Sequence, residues 1–279
     1  MRSRGPWATC SATVTVVDNL PPNALCRDFV KNLGAGGTAS ITPAEVDNLS
    51  NDNCGTVNLV SVSPNSFTCS NIGINVVTLT VNDGHGNTST CTGNVTIADA
   101  TAPTATCQNV SAVLTAAGTA SITASQVNNG STDNCGIASM SVSPNSFTCS
   151  NIGNQTVTLT VTDNSSLTNT CTATVTVADI TAPSAVCQNI SVNLGSNGTV
   201  SITGSQVNNG STDNCGIASL GVSPNSFSCA NVGNQSVTLT VTDNSNLTAT
   251  CTATATVADA TNPTAVCQNI TVNLDGSGT

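Results

Sequence analysis

Fourteen cysteines recur at a fixed period along this chain of 279 residues. From Cys26 onward the spacings are 28, 14 or 15, 22 and 16 residues, and the set of four occurs three times before Cys267. One set covers about 80 residues. A period of this length indicates a tandem array of small, similar domains.

The cysteine period divides the chain into three whole repeats and two partial ones. Cys10 corresponds to the fourth cysteine of an earlier repeat, because residues 8–18 are similar to residues 169–179. The predicted segments are 1–18 for the last strand of a preceding repeat, 19–99, 100–179 and 180–259 for repeats 1, 2 and 3, and 260–279 for the first strand of a following repeat. Both ends are therefore expected to cut through a domain of a longer chain.

Within a repeat, apolar residues alternate with polar ones. Val157, Leu159 and Val161 are separated by Thr, and the segment 171–177 alternates in the same way. This pattern is typical of strands with one buried and one wet face. The turn at Asp163 between these segments predicts a hairpin, and further strands are predicted at 190–194, 199–203, 217–222 and around Phe227. Six or seven short strands in 80 residues predict an immunoglobulin-like sandwich.

The predicted core is small, with Val, Ile and Leu and one Phe per repeat. A domain of this size needs stabilisation beyond its core, and the cysteines supply it as disulfide cross-links. There is no C-x-x-C pair or Cys/His cluster that would favour zinc. The sequence therefore predicts an oxidising, extracellular or cell-surface location.

The charge distribution excludes several classes of partner. The chain has four basic residues and a net charge of −10, and its last cation other than histidine is Lys31. Nucleic acid is excluded, because phosphate binding requires Lys and Arg, and anionic membrane surfaces are disfavoured. No apolar run reaches the length of a membrane span, and the basic start at residues 1–7 lacks the apolar core of a signal peptide.

The sequence contains few of the side chains that catalysis commonly uses. It contains one His, in the turn at residues 83–86, and no Tyr. Most acid–base and nucleophilic mechanisms need such groups in combination. The chain is therefore predicted not to be an enzyme, with no catalytic residues and no required cofactor. His85 is interpreted as a solvated turn residue.

Three motifs carry a resemblance to a known family. They are Thr-Asp-Asn-Cys-Gly at 132–136 and 212–216, Gly-x-x-x-Val-Thr-Leu-Thr-Val-Thr-Asp-Asn, and Thr-Cys-Thr-Ala-Thr-x-Thr-Val. In these the chain resembles hyalin repeat (HYR) modules, and its tandem form resembles arrays in surface proteins of Bacteroidota-type bacteria. The resemblance implies tandem immunoglobulin-like β-sandwiches in a linear rod, with extracellular adhesion or scaffolding as the role. Leu79, Leu159 and Leu239 stand where such modules commonly have Tyr.

Four cysteines per repeat allow three pairings, and spacing alone does not choose among them. In a sandwich of this type the first and last strands begin at the same end, which favours first-to-fourth and second-to-third pairing. The predicted pairs are Cys26–Cys91, Cys54–Cys69, Cys107–Cys171, Cys135–Cys149, Cys187–Cys251 and Cys215–Cys229. Bridging across the linkers from a fourth cysteine to the next first one, as in Cys171–Cys187, stays open as an alternative, because it pairs all fourteen cysteines within the chain.

Acidic residues recur at the ends of strands and in loops that a sandwich brings to one pole. We expect three convergent sets: Asp18, Asp52 and Asp83; Asp99, Asp133 and Asp163; Asp179, Asp213 and Asp243. Three carboxylates with neighbouring carbonyl or amide oxygens suit Ca²⁺, which would stiffen the linkers. The alternative is that these Asp residues only form turns through their own backbone.

The predicted function is a structural segment of an extracellular fibre or stalk whose partners are neighbouring repeats, including self-assembly with further copies. Near-identical repeats suit length rather than specific recognition. Covalent glycans are a second expectation, with Asn129, Asn189, Asn209 and Asn269 as candidate acceptors. The alternative is an adhesin module that binds sugar or protein on another surface, which predicts one repeat with a distinctive cleft or exposed aromatic side chains.

Overall fold

The computed structural model describes residues 1–2, 4–273 and 275–278. The chain divides into two compact units. Unit 1 comprises Met1–Gln108, Thr123–Ser143 and Thr158–Ala173, and unit 2 comprises Asn109–Ile122, Pro144–Val157 and Thr174–Thr279. The fold is all-β, with three repeated sandwich-like domains, as the alternation of apolar and polar residues predicts.

Each repeat contributes six strands. Those of repeat 1 are β1 (Phe29–Asn32), β2 (Thr38–Ser40), β3 (Asn58–Ser63), β4 (Ser66–Thr68), β5 (Gly73–Asn82) and β6 (Thr88–Ala98). Those of repeat 2 are β7 (Val110–Val113), β8 (Thr119–Ser121), β9 (Ile137–Ser143), β10 (Ser146–Thr148), β11 (Gly153–Asp163) and β12 (Thr168–Ala178). Those of repeat 3 are β13 (Ile190–Asn193), β14 (Thr199–Ser201), β15 (Ile217–Ser223), β16 (Ser226–Ser228), β17 (Gly233–Asp243) and β18 (Thr248–Ala258).

The same sheet order occurs three times. Repeat 1 has a four-stranded sheet in the order β1-β6-β5-β3 and a two-stranded sheet of β2 and β4, and repeats 2 and 3 match it. The first and last strands of each repeat are parallel neighbours, with Ile190 opposite Ala255 in repeat 3. The first and last strands thus lie side by side, as the cysteine pairing requires.

The long hairpin of each repeat has the predicted alternation. In β5, Val77, Leu79 and Val81 are fully buried, while Thr78 and Thr80 between them are partly exposed. Successive side chains of a strand point to opposite faces, so one face supplies the core. Phe67, from the two-stranded sheet, is also buried in this core.

The helices are single turns. They are α1 (Pro43–Val46), α2 (Ala124–Val127) and α3 (Gly204–Val207), each with one fully buried valine. One 3₁₀ turn per repeat follows the fourth strand, at Cys69–Asn71, Cys149–Asn151 and Cys229–Asn231. Among the described residues, no helix is long and apolar enough to cross a membrane.

The terminal strands predicted at 1–18 and 260–279 are not present in the described residues of those segments. A last strand bonds to the first and penultimate strands of its own repeat, as β18 does with β13 and β17. Residues 8–18 resemble a last strand and residues 260–273 a first strand, and among the described residues neither segment pairs with another strand. An isolated strand in water is not stable, so the alternation of apolar and polar residues is insufficient there.

Candidate functional site

Three aspartates from separate elements converge in unit 1, and we call them the Asp99 cluster. Asp99 follows β6, Asp133 lies in the loop between α2 and β9, and Asp163 ends β11. One carboxylate oxygen from each lies within 4.8 Å of the others. Strand ends that meet at one pole therefore bring these residues together, as the sequence predicts.

Asp163 and Asp133 are each held through one carboxylate oxygen. Asp163 Oδ1 accepts hydrogen bonds from Ser165 N and Leu167 N, both at 2.8 Å, and Asp133 Oδ2 accepts one from Cys135 N at 2.8 Å. The second oxygens, Asp163 Oδ2 and Asp133 Oδ1, are buried and have no hydrogen-bond partner. Backbone N–H groups thus orient the carboxylates and leave one oxygen of each unpaired.

Asn134 and Ser165 complete the surroundings of Asp99. Asp99 Oδ1 accepts hydrogen bonds from Thr101 N at 3.1 Å and Asn134 Nδ2 at 3.3 Å. Ser165 Oγ lies 3.5 Å from Asp99 Oδ2. The amide oxygen of Asn134 is buried without a partner. An amide oxygen therefore joins the carboxylates as an unpaired acceptor.

The same arrangement occurs in unit 2, as the Asp179 cluster of Asp179, Asp213 and Asp243. Asp179 Oδ1 accepts from Asn214 Nδ2 at 3.2 Å, and Asp213 Oδ2 accepts from Cys215 N at 2.7 Å. Asp243 Oδ1 accepts from two backbone N–H groups at 2.8 Å. The unpaired buried oxygens are Asp179 Oδ2, Asp213 Oδ1, Asp243 Oδ2 and Asn214 Oδ1, so Asp179 adds one that its counterpart Asp99 lacks. Two independent copies of one geometry argue against accidental placement.

Burial makes these clusters electrostatically unusual. Asp163 is 1% exposed and Asp243 is fully buried. The sequence has no Lys or Arg after Lys31 that could compensate them. A buried carboxylate without a counter-charge is costly unless a metal ion or a proton neutralises it. Carboxylate and amide oxygens form the donor set that hard divalent cations, Ca²⁺ above all, prefer in proteins.

The predicted set of Asp18, Asp52 and Asp83 does not form. Asp18 and Asp83 instead lie with His85, whose Nδ1 is 3.9 Å from Asp18 Oδ2. Burial raises the pKa of Asp83, but hydrogen bonds from the Asn87 side chain and two backbone N–H groups outweigh it, so its pKa lies below the usual value. Asn87 Nδ2 donates a hydrogen bond to Asp83 Oδ2. The equivalent oxygen in repeat 2, Asp163 Oδ2, has no hydrogen-bond partner.

The first-to-fourth disulfides form in all three repeats. They are Cys26–Cys91, Cys107–Cys171 and Cys187–Cys251, with Cα–Cα distances of 5.7, 5.9 and 5.9 Å. Parallel pairing of the first and last strands explains them, because both cysteines lie just before or within these neighbouring strands. The five disulfides of the described residues place the chain in an extracellular, oxidising environment.

The predicted second-to-third pairs Cys54–Cys69, Cys135–Cys149 and Cys215–Cys229 are wrong. The bridges are instead Cys69–Cys135 and Cys149–Cys215, each joining the third cysteine of one repeat to the second of the next. In repeat 3, Cys215 precedes β15 and Cys229 follows it, and this strand of seven residues advances the chain by about 23 Å. A bridge requires Cα atoms within about 7 Å, so the two cysteines belong to opposite poles of their repeat.

Four cysteines of the described chain are exposed and unpaired: Cys10, Cys54, Cys229 and Cys267. By the pairing pattern above, Cys54 and Cys229 correspond to the two halves of an inter-repeat bridge. Cys10 and Cys267 correspond in the same way to the two halves of a first-to-fourth bridge. The predicted pairing missed the inter-repeat bridge because it joined the second and third cysteines, 14 or 15 residues apart, within one repeat.

The four candidate glycosylation residues are exposed: Asn129, Asn189, Asn209 and Asn269. Asn189 Oδ1 accepts a hydrogen bond from Thr254 N at 2.8 Å, which fixes its side chain. Exposure is compatible with glycosylation at each position.

The comparisons with known proteins give one related sequence. No protein-family model matches the chain. Hyalin of Strongylocentrotus purpuratus is 33% identical over 283 residues, which is 94% of this chain and 23% of hyalin. The chain thus spans about a quarter of the length of that relative. It is similar to hyalin, as the HYR resemblance implies, and a bacterial origin has no support from this relative.

Several solved structures align at low similarity. Protocadherin gamma C5 EC1-3 has a TM-score of 0.38 at 13% identity, covering 84% of this chain and 100% of that chain. Sidekick-1 immunoglobulin domains 1-4 has a TM-score of 0.33 at 12% identity, covering 88% and 77%. An endo-fucoidan hydrolase of glycoside hydrolase family 107 has a TM-score of 0.26 at 11% identity, covering 87% and 45%. At these scores none of them bears on the function of this chain.

Proposed function

We propose that the chain is a structural segment of an extracellular fibre or cell-surface stalk built from immunoglobulin-like repeats. The observation that carries this proposal is the covalent path through the disulfides. Each first-to-fourth bridge connects the start of a repeat to its last strand and bypasses 64 or 65 residues. A pulling force along the chain is then borne by sulfur–sulfur bonds instead of the folded core.

The strand order favours the same role. The first and last strands of each repeat are parallel neighbours. If the bridges are reduced, tension between the two ends of a repeat loads these hydrogen bonds together in shear instead of opening them one at a time. The inter-repeat bridges add a second covalent connection at each junction. A scaffold that carries load requires these properties, whereas catalysis does not.

Electron microscopy of the native material tests the fibre proposal. We expect a thread with a regular step of roughly 40 Å, the length of one sandwich and its linker. Separate short particles that do not associate would contradict it. The same images would show whether further copies assemble side by side or end to end.

We also propose that the Asp99 and Asp179 clusters bind one Ca²⁺ ion each. The support is the set of buried, unpaired oxygens, from two carboxylates and one amide in the Asp99 cluster and from three carboxylates and one amide in the Asp179 cluster. Bound Ca²⁺ supplies positive charge that offsets their mutual repulsion. The residues themselves hold the ion in place, because backbone N–H groups fix their other oxygens.

Terbium luminescence and calorimetric calcium titration test the cation sites. We expect two strong sites per chain, and Asp163→Asn or Asp243→Asn should remove one each. The matched control is Asp28→Asn, because Asp28 accepts from Asn94 N as Asn109 and Asn189 accept in the other repeats. Absence of strong binding in the native chain, or equal loss in Asp28→Asn, would contradict the assignment.

Glycosylation at Asn129, Asn189, Asn209 and Asn269 is proposed from their exposure. Mass spectrometry of peptides from the native material checks it. We expect a sugar mass on at least one of the four. Unmodified peptides at all four positions would contradict it.

One observation favours the adhesin alternative. In repeat 1, Val30, Ile74 and Val76 are 64%, 74% and 61% exposed, and Val30 and Ile74 both lie opposite Thr96 in neighbouring strands. The corresponding residues of repeat 2 are Ser111, Asn154 and Thr156. Repeat 1 thus has an exposed apolar patch where repeat 2 is polar. The predicted exposed aromatic side chains are not part of it.

A cell-binding assay with protein-coated beads tests the adhesin alternative. The native chain should adhere, and a variant with V30S, I74N and V76T should lose adhesion because repeat 1 then carries the surface of repeat 2. Equal adhesion of both proteins, or none by either, would contradict this alternative. Intact folding of the variant is checked by circular dichroism.

A further inference from the structure

The inter-repeat disulfide lies two residues from one carboxylate of each acidic cluster. Cys135 is bridged to Cys69, and Asp133 belongs to the Asp99 cluster. We propose that the inter-repeat disulfides position this carboxylate, so that cation binding depends on the oxidised state of the bridge. The inference rests on the cation binding proposed above and deepens it.

A short chain of contacts connects the bridge to the carboxylate. Cys135 N donates to Asp133 Oδ2 at 2.8 Å, which fixes the rotation of the carboxyl group. The other oxygen, Asp133 Oδ1, is thereby held in the buried cluster without a partner. Any displacement of Cys135 therefore displaces Asp133 Oδ1 as well.

The bridge also fastens this loop against the preceding repeat. Cys69 Sγ lies 3.4 Å from Asn134 O, and Asn134 Nδ2 donates to Gly34 O at 3.1 Å. A Cβ atom on Gly37 would lie 2.6 Å from Asn134 O. The loop and the preceding turn are thus packed without space between them, with the disulfide as their covalent connection.

Unit 2 repeats this arrangement with different neighbours. Cys149 Sγ lies 3.4 Å from Asn214 O, and Asn214 Nδ2 donates to Thr115 O at 3.1 Å. Cys215, bridged to Cys149, donates its N–H to Asp213 Oδ2 at 2.7 Å. The connection between bridge and carboxylate is therefore a property of the repeat rather than of one junction.

Repeat 1 provides an internal comparison. Cys54 corresponds to Cys135 but is unpaired, and Cys54 N still donates to Asp52 Oδ2 at 2.8 Å. Despite this identical local turn, Asp52 does not belong to the cluster of Asp18, Asp83 and His85. Asp52 Oδ1 is buried without a partner, as Asp133 Oδ1 is, so the local turn alone produces the unpaired oxygen. The group of three carboxylates forms only in the two places where the described residues also have the bridge.

The test is a calcium and terbium titration of the Cys69→Ser, Cys135→Ser double variant of the full chain. Loss of a group that orients a metal ligand typically weakens binding roughly 10- to 100-fold. We expect this loss at one site, while the second, bridged by Cys149–Cys215, keeps its affinity as an internal reference. Two sites of unchanged affinity would overturn the inference while leaving the proposed cation binding intact.

A matched control separates positioning from general destabilisation. Cys26→Ser with Cys91→Ser removes a bridge of nearly equal separation, 65 against 66 residues. Cys91 lies eight residues before Asp99 along β6, roughly 26 Å away. This variant should lose stability and keep both cation affinities. An equal loss of affinity in both double variants would overturn the inference.

A double-mutant cycle with Asp133→Ala measures whether the losses of cation affinity from Asp133→Ala and from removing the bridge are coupled. A bridge with a purely structural role would give no such coupling. If the bridge acts through Asp133, Asp133→Ala weakens the site, and adding the two serines weakens it little further. Fully additive losses would overturn the inference. If the native chain binds no cation in any state, the proposed cation sites fail and this inference fails with them.

Discussion

Glu45 shows how one residue combines a helix cap with an ion pair. Its Oε2 accepts from Thr42 N at 2.8 Å, and its Oε1 accepts from Lys31 at 2.6 Å. The Lys31 hydrogen bond is the main reason that the pKa of Glu45 lies below its usual value. In repeats 2 and 3 the cap is Gln126 and Gln206, without a lysine.

Glu45→Gln should therefore remove the ion pair and keep the cap. At pH 7 we expect a loss of about 0.5 kcal/mol in unfolding free energy, typical of a partly exposed pair. Because the folded pKa is depressed, this contribution is present above the unfolded value near 4.5 and disappears as the pH falls through the folded pKa. Urea denaturation at pH 7 and pH 3 measures it. A pH-independent difference would contradict the ion-pair origin.

At the residue scale, the sequence predicts the Asp99 and Asp179 clusters because each aspartate ends a strand or begins a turn at one pole. Asp52 has the same local sequence position and the same backbone hydrogen bond to Cys54 N. Asp52 Oδ1 is also buried without a partner, yet Asp52 does not join a group of three carboxylates. His85, which replaces Ser165 in the turn, takes its place near Asp18. The local turn sequence predicts neither the position of Asp52 nor the position of His85 near Asp18.

At the scale of the element, the turn before the second strand of each repeat determines how the next repeat docks. Gly118 has φ +70°, and a Cβ there would lie 2.8 Å from Cys149 Sγ and 2.9 Å from Asn214 O. Gly198 has φ +73° and would approach Cys229 Sγ at 3.0 Å, with no backbone of a following repeat nearby. The two glycines share the conformation and differ in what they touch.

Gly118→Ala should therefore be more damaging than Gly198→Ala. Both variants bear the cost of a left-handed backbone, about 1–2 kcal/mol. Gly118→Ala adds a clash with a backbone oxygen, for which overpacking costs of about 1–3 kcal/mol are typical. Calorimetric unfolding measures the difference, and non-reducing peptide mapping should show less Cys149–Cys215 in Gly118→Ala. Equal losses would mean that the turn does not hold the next repeat.

The strands themselves were predictable because alternation of apolar and polar residues has a direct physical cause. Val157, Leu159 and Val161 are fully buried, and the parallel neighbours that the first-to-fourth pairs require are present. The second-to-third pairing was wrong because it assumed that the four cysteines of a repeat pair only with one another. A strand such as β15 carries the chain from one pole to the other, so the two middle cysteines face different neighbouring repeats.

At the scale of the whole molecule, the first-to-fourth and the inter-repeat disulfides overlap along the chain, and we call this covalent network the disulfide ladder. Cys69–Cys135 closes a loop that contains Cys91 and Cys107, which belong to two different first-to-fourth bridges. The junctions between repeats 1 and 2 and between repeats 2 and 3 are thus each enclosed by a disulfide, and the acidic cluster of the same junction lies beside it. The ladder favours a load-bearing role over a set of independently mobile binding modules.

Pulling the oxidised chain between Cys26 and Cys251 should therefore increase the distance between these two residues only slightly. The shortest covalent path crosses three bridges, with Cα–Cα distances of 5.7, 5.9 and 5.9 Å, and the stretches 91–107 and 171–187. Fully extended, this path is about 130 Å long, whereas the reduced chain between the same residues reaches about 750 Å. Optical tweezers with handles at these ends measure both lengths. A gain of several hundred ångströms before reductant is added would contradict the ladder and remove the main support for a load-bearing fibre.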